Sequence, residues 1–492
     1  MTLRSSRRLL LIILAVLFFP AIASAEVGGP PDIPRGTIAE RLHSLVGLAL
    51  FTLLAWAIGR ATGAKARVPT RTIVWGTILQ LAFGGIVVWN RWFLKAINDA
   101  VDALLGFTRD GAKLVFGDLV WNNIPVGTPG QFSLMDPIHP TGMYASAGAY
   151  FVCFVLPTII FFSCLTAVAY HSGIMQYVVQ GFAWIMSKSM GTSGAETLSS
   201  AANIFVGQTE APLMVKPFVA VATNSELMAI MVGGFANIAS GVLGLYSIWL
   251  QPFVQDAAGH LAAACLITAP GSLLVAKLLV PETEKAVTAA GVEFKVDRID
   301  ANLVDAAARG TTDGLGLAIN VGAMLISFTA LVALFNALLS SGFGYNPLAR
   351  TLATHPIFHH TFHLRQIPTI TLQDILGFVF RPLAWLTGVS WSESKPVGTL
   401  LGIKTVLNEL IAYSQMKDAL TADPTYLSPR SRLLATYALC GFANFASVGI
   451  QVGGISTLAP NRRADLSRIG MLAMVGGAIC SLMAACVIGI LY

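Results

Sequence analysis

The sequence predicts an all-α polytopic membrane protein with about eight transmembrane helices and two re-entrant helical hairpins, arranged as an inverted-topology repeat. Three observations carry that expectation. The 492-residue chain is 55% hydrophobic and only 11% charged, against about 25% charged residues in soluble domains, and its mean hydropathy is +0.70. The string Gly-Phe-Ala-Asn-x-Ala-Ser occurs twice in apolar surroundings, from Gly234 to Ser240 and from Gly441 to Ser447. A carboxylate in apolar sequence precedes each copy, Glu210 before the first and Glu409 before the second. Duplicated polar patches of this kind suit a two-repeat transporter, whose helices break at the bilayer midplane and turn their freed backbone groups toward a solute.

From the N-terminus, Arg4, Arg7 and Arg8 precede the apolar run Leu9 to Ile22, and Ala23-Ser24-Ala25 has the small-x-small pattern of a cleavage site. Residues 1–25 therefore read as a secretory signal removed from the mature chain. A helix needs about 20 apolar residues to cross the bilayer. Eight stretches qualify: His43–Gly59, Thr72–Trp89, Tyr144–Tyr170, Ser225–Leu250, Gly259–Val280, Gly314–Leu339, Arg432–Ile455 and Ile469–Leu491. Arg60, Lys65, Arg67 and Arg71 follow the first, and Arg462, Arg463 and Arg468 precede the last, so both loops belong on the cytoplasmic side. Eight crossings then leave both mature termini outside, the side to which a cleaved signal delivers the N-terminus.

Two further apolar stretches are interrupted by small and polar residues, Ile185 to Val206 and Pro382 to Leu407. They read as hairpins that enter and leave on one side, which is tolerated only where protein or a water-filled cavity covers them. Residues 43–143 then form N-terminal scaffold helices, with an interfacial amphipathic helix at Phe93–Phe116. Residues 144–280 are the first repeat with hairpin 1, 281–313 a charged cytoplasmic linker, and 314–492 the second repeat with hairpin 2.

The net charge of +6 comes from basic residues spread through short loops, without the interleaved aromatics of a nucleic-acid surface. Cys153, Cys164, Cys265, Cys440, Cys480 and Cys486 lie in apolar segments without metal-ligand spacing and read as small buried residues. The loop 342–371 carries His355, His359, His360 and His363, but Pro356 breaks the helix that would align them and no acidic or thiol residue is near. Their expected role is structural or incidental.

The chemistry concentrates in two motifs. In Asn203-Ile204-Phe205-Val206-Gly207-Gln208-Thr209-Glu210-Ala211-Pro212, three polar residues follow one another at one hairpin end. An ionisable group at membrane depth costs roughly 2.5–3.5 kcal/mol unless paired or solvated. Mutual capping of a hairpin tip is the structural alternative to solute binding there. In Leu407-Asn408-Glu409-Leu410-Ile411-Ala412-Tyr413 a second carboxylate stands ready to accept hydroxyl hydrogen bonds from a sugar-like solute. Its structural alternative is a salt bridge to Lys404, five residues upstream and so on another helix face. The repeated string adds bendable glycines with an Asn and a Ser that can hold freed carbonyls or bind solute. Close helix packing on small residues is the alternative there.

These residues resemble the concentrative nucleoside transporter family. Gly207–Leu213 is similar to its first-hairpin signature, Asn408–Tyr413 to its Asn-Glu-Phe-Val-Ala-Tyr motif, and Gly441–Ser447 to its seventh-span signature. The resemblance covers roughly Leu45 to Tyr492. It implies a homotrimer in which a scaffold surrounds a transport domain moving as an elevator. It also implies that Gln208, Thr209 and Glu210 face a nucleobase, that Val242 and Phe442 pack on it, and that Glu409, Asn444 and Ser447 hold ribose hydroxyls. The family's sodium site falls on Asn203, Val206, Asn237 and Ile238. The chain departs from the family at Asn237, where Ser or Thr is usual, at Ser240, where Gly is common, and at Leu410 and Ile411, where Phe and Val are usual.

The expected function is cation-coupled import of nucleosides across the inner (plasma) membrane by a multi-pass protein, with sodium as coupling ion or, as in some members, protons. No cofactor or nucleic-acid partner is expected. A carrier of another polar solute on the same scaffold is the alternative. An intramembrane enzyme using Glu210 and Glu409 would need a nucleophile–base pair or a metal set, and no histidine lies near either carboxylate in sequence.

Overall fold

The structure, a computed structural model, describes residues 36–63, 68–120, 123–125, 144–146, 151–289, 300–343 and 371–492. The signal segment 1–25, most of 121–143 and the four histidines of the 342–371 loop lie outside the described residues.

Helices dominate. The N-terminal part contains α1 (Ile38–Ala61), α2 (Thr70–Trp89) and the amphipathic α3 (Arg91–Phe116). Thr37 and Glu40 close a capping box on α1, the Thr37 N–H donating to Glu40 Oε2 at 2.7 Å. A two-stranded antiparallel ribbon, β1 (Asn123–Pro125) and β2 (Tyr144–Ser146), follows. The third expected crossing accordingly starts later than Tyr144, as α4 (Phe151–His171).

Each half of the remaining chain then follows one order. The first runs α5 (Ile174–Met190), α6 (Gly194–Ala202), a short 3-10 turn leading into α7 (Lys216–Val219), the half-helices α8 (Asn224–Ala236) and α9 (Ser240–Leu250), and α10 (Ala257–Leu279). After α11 (Leu303–Phe343), the second runs α12 (Leu372–Leu386), α13 (Ser394–Val406), α14 (Glu409–Ala422), the half-helices α15 (Pro429–Leu439) and α16 (Phe445–Leu458), and α17 (Arg463–Leu491). Because α11 is continuous from Leu303, the last part of the expected 281–313 linker is helical.

Six helical stretches among the described residues are long and apolar enough to cross a membrane, and α4 with α5, bent by 77° between them, makes a seventh when the two count as one span. The expected crossing Arg432–Ile455 is broken where the repeated string lies, into two short helices, because Cys440 to Asn444 leave the helical path. The hairpins also sit further along the chain than the interrupted runs suggested. Ile185–Met190 belongs to α5 and Pro382–Leu386 to α12, helices that only precede the hairpins. Hairpin 1 is α6 and the 211–219 turn-helix segment, with its tip at 203–210. Hairpin 2 is α13 and α14, with its tip at Leu407-Asn408. Both motif carboxylates therefore lie at hairpin tips.

The α10 helix is the central post, with 94% of its apolar stretch buried against 17% for α11. It packs on α2, α8 and α17, while α11 lies along α4. Such a difference separates a helix enclosed by protein from one that offers its apolar surface to lipid or to another subunit.

Polar ties fasten each hairpin base to the broken span beside it. In the first half, Ser193 Oγ donates to Glu226 Oε1 at 2.6 Å, and the buried Glu196 pairs with Lys277 of α10 at 2.7 Å. In the second half the roles are exchanged. Glu393 at the hairpin base accepts from the Ser428 N–H and from Ser431 Oγ at 2.6 Å, at the start of α15. Serine–carboxylate contacts thus join both bases, and in the second half Glu393 also satisfies the Ser428 N–H at the helix terminus.

Candidate functional site

The two copies of the repeated string meet in space. The Phe442 N–H donates to the Asn237 carbonyl at 3.3 Å, so one break hydrogen-bonds the other. Gly441 has φ +140°, and a Cβ there would stand 2.8 Å from the Ala236 carbonyl oxygen. Gly234 serves differently, since a Cβ on it would meet Gln451 Nε2 at 2.6 Å and Gln208 Cβ at 3.0 Å. One glycine permits a backbone conformation, and the other admits two side chains.

Breaking the spans also sorts helix ends by sign. Asn408 caps the start of α14 by accepting the Ile411 N–H at 2.9 Å, and Asn444 caps α16 by accepting the Ser447 N–H at 2.9 Å. Two helix N-termini therefore reach the centre, and Glu409 stands at the first position of one of them. The partial positive charge at that end stabilises its carboxylate.

From Glu409 a polar chain crosses the molecule. Tyr246 Oη donates to Glu409 Oε1 at 2.8 Å, and Asn444 Nδ2 donates to Oε2 at 3.2 Å. Ser447 lies one turn further along α16, and Gln208 Nε2 reaches its Oγ at 3.4 Å. Gln208 Oε1 accepts from Gln451 Nε2 at 3.1 Å, and the same Nε2 donates to the Met231 carbonyl at 3.2 Å. Both hairpin tips and both broken spans contribute. Gln208, Glu409, Asn444 and Ser447 are all buried, as is Val242 at the start of α9, while Phe442 is half-buried.

Thr209 and Glu210 remain exposed at the first tip. Glu210 Oε2 accepts the Gly207 N–H of its own hairpin, so one carboxylate oxygen serves the capping role that was the structural alternative. Lys404 does not pair with Glu409. Its Nζ donates to the Ala438 carbonyl at 3.0 Å and to Ser481 Oγ at 3.1 Å, while Ser481 donates to the Cys440 carbonyl at 2.7 Å. The C-terminal end of α15 thus receives a fixed ammonium group where helix breakage frees carbonyls.

The corresponding C-terminal ends in the first half are those of α6 and α8, closed by Asn203 and Asn237. Asn203 Nδ2 donates to the Ser199 carbonyl at 3.1 Å, but its buried Oδ1 has no hydrogen-bond partner among the described residues. Asn237 Nδ2 donates to the Gly233 carbonyl at 3.1 Å, and its Oδ1 accepts from Thr268 of α10 at 2.6 Å. Val206 and Ile238 are buried beside them. An orphaned amide oxygen beside two negative helix ends fits a hard monovalent cation, and the second lone pair of Asn237 Oδ1 is still available to it.

Tyr246, Thr268 and Gln451 escaped sequence reasoning. Tyr246 lies four residues after Val242 on one helix face. Asn444, Ser447 and Gln451 stand at helical spacings of three and four, a polar stripe in an apolar helix. For Thr268 no sequence signal existed, since its partner lies 31 residues away across a helix break.

Comparison with known proteins agrees with this architecture. The family descriptions "Na+ dependent nucleoside transporter N-terminus", "Nucleoside recognition" and "Na+ dependent nucleoside transporter C-terminus" match residues 46–119, 152–253 and 260–489. An uncharacterized transporter of Bacillus subtilis is 38% identical over 91% of this chain and 98% of its own. The sodium/nucleoside cotransporter 1 of Rattus norvegicus is 36% identical over 92% of this chain and 64% of its own. Among solved structures, CNTnw in an inward-facing substrate-bound state is 37% identical, with a TM-score of 0.75 over 92% of this chain and 97% of that one. A CNTnw variant in an outward-facing state also gives 0.75, over the same shares of the two chains at 36% identity. The chain belongs to the family of Na+-dependent nucleoside transporters, membrane carriers rather than enzymes.

Proposed function

We propose that this protein imports nucleosides across the inner (plasma) membrane by sodium symport, and that the hydrogen-bonded chain from Tyr246 through Glu409, Asn444 and Ser447 to Gln208 is its substrate site. The observation that carries the reading is a buried carboxylate at a helix N-terminus, joined to amide and hydroxyl groups from both halves. Vicinal ribose hydroxyls are donors, and Glu409 with Asn444 and Ser447 supplies the acceptors they need. Val242 and Phe442 offer apolar surface to a flat base, and Gln208, Thr209 and Glu210 read its edge. Sodium sits between the ends of α6 and α8, held by Asn203, Val206, Asn237 and Ile238, with Asn203 Oδ1 as the oxygen most in need of a partner.

Ion and solute are coupled because hairpin 1 carries both Asn203 and Gln208. Filling the first position fixes the tip that presents the second. The tightly tied hairpins and broken spans then move as one transport domain against a scaffold of α1–α4 and α11, in a homotrimer. Residues 144–280 and 314–492 form the inverted repeats, and the signal segment 1–25 is removed.

Calorimetry on detergent-solubilised protein tests the coupling. Uridine affinity is expected to rise with sodium, and Asn203→Ala is expected to raise the sodium concentration for half-maximal effect about tenfold, the worth of one charge-assisted hydrogen-bond-like contact. Sodium-independent uridine binding in the unaltered protein, or an unchanged sodium requirement in the variant, contradicts it.

A further inference from the structure

Gln451 lies outside the three strings that carry the family resemblance, yet it is completely buried and touches the substrate-reading side chain of hairpin 1. Its orientation is decided by chemistry. The Met231 group facing it is a backbone carbonyl, which only accepts, so the nearer end of the Gln451 amide is the N–H2 end. The same nitrogen faces Gln208, so the facing atom of Gln208 is its oxygen. Gln208 therefore turns its own N–H2 group away from Gln451, toward Ser447. Of the two N–H bonds on that nitrogen, Ser447 takes one and leaves the other for the solute.

We infer that Gln451 is a positioning residue for specificity: it locks the Gln208 amide so that a donor, not an acceptor, faces the nucleobase. The inference rests on the proposal that Gln208 reads the base. The ligand feature it selects is an acceptor on the base edge, such as a ring nitrogen or an exocyclic carbonyl. Gly234 is part of the device, because any Cβ at that position would press on the Gln451 amide nitrogen and on Gln208. The other end of the Gln451 amide, Oε1, is buried without a hydrogen-bond partner among the described residues. An amide held with one end unpaired is held by its nitrogen contacts, at a cost that a purely space-filling residue such as Leu would avoid.

The test is a double-variant cycle on uridine transport in proteoliposomes, using Gln451→Leu, Gln208→Leu and the pair. Gln451→Leu is expected to raise the uridine KM about five- to tenfold, the worth of one oriented hydrogen bond. Its maximal rate and sodium half-saturation are expected to stay unchanged. In the Gln208→Leu background the same change is expected to have no further effect, because no amide remains to orient. An equal KM increase in both backgrounds overturns the inference, since the effect would then not pass through Gln208. An unchanged KM in Gln451→Leu, beside a raised KM in Gln208→Leu, overturns it alone. An unchanged KM in Gln208→Leu removes the base-reading role itself and the inference with it. If Gln451→Leu does not fold, Gln451→Met, which keeps the length and apolar bulk without the donor, carries the same expectations.

Discussion

Replacing Glu409 with Gln is expected to raise the uridine KM by about 100-fold, equivalent to ~2.7 kcal/mol of lost recognition. The fold should survive the change. Asn444 cannot turn its amide over, because its Oδ1 caps the Ser447 N–H. The oxygen of the introduced amide therefore faces Asn444 Nδ2, and its N–H2 faces Tyr246, whose hydroxyl accepts as readily as it donates. The negative charge and one of the two acceptor oxygens disappear, and with them the strength of the ribose hydroxyl bonds. Uptake of uridine by reconstituted Glu409→Gln, measured against concentration, checks this. Normal affinity and rate would remove Glu409 from the substrate site.

The second large effect concerns stability. Lys277→Met is expected to destabilise the protein by about 3–5 kcal/mol, because Glu196 is then buried without its countercharge. Lys277 also donates to Ser225 at 2.9 Å and pairs with Glu282 at 3.4 Å, so the change loosens hairpin 1, α8 and α10 together. Thermal melting in detergent reads the effect. The double variant Glu196→Gln/Lys277→Met is expected to recover most of the loss, since it removes both charges. A single variant that melts with the unaltered protein would show that the pair is not what holds the hairpin base.

The carboxylates were legible in sequence because charge in apolar surroundings has few explanations. Glu409 and Glu210 stood out for that reason, and both lie at hairpin tips. Helix boundaries were less legible. The apolar runs of α5 and α12 continue almost directly into their hairpins, and hydropathy does not distinguish a helix beside the membrane-buried hairpin from an arm of it. The duplicated string correctly marked two broken spans, but its copies have diverged in partnership. Ser447 faces Gln208, whereas Ser240 in the first copy bonds Thr166 of α4 at 2.9 Å. Identical letters met different neighbours. Asn237, one of the departures from the family pattern, is held by Thr268, a contact that only the folded chain reveals.

The most direct measurement of the whole account is uptake of radiolabelled uridine and adenosine into proteoliposomes, with an inward sodium gradient and an inward proton gradient imposed separately. Nucleoside is expected to accumulate above the external concentration under the sodium gradient, and collapsing the gradient is expected to abolish the accumulation. Failure of the sodium gradient to drive either nucleoside would contradict it.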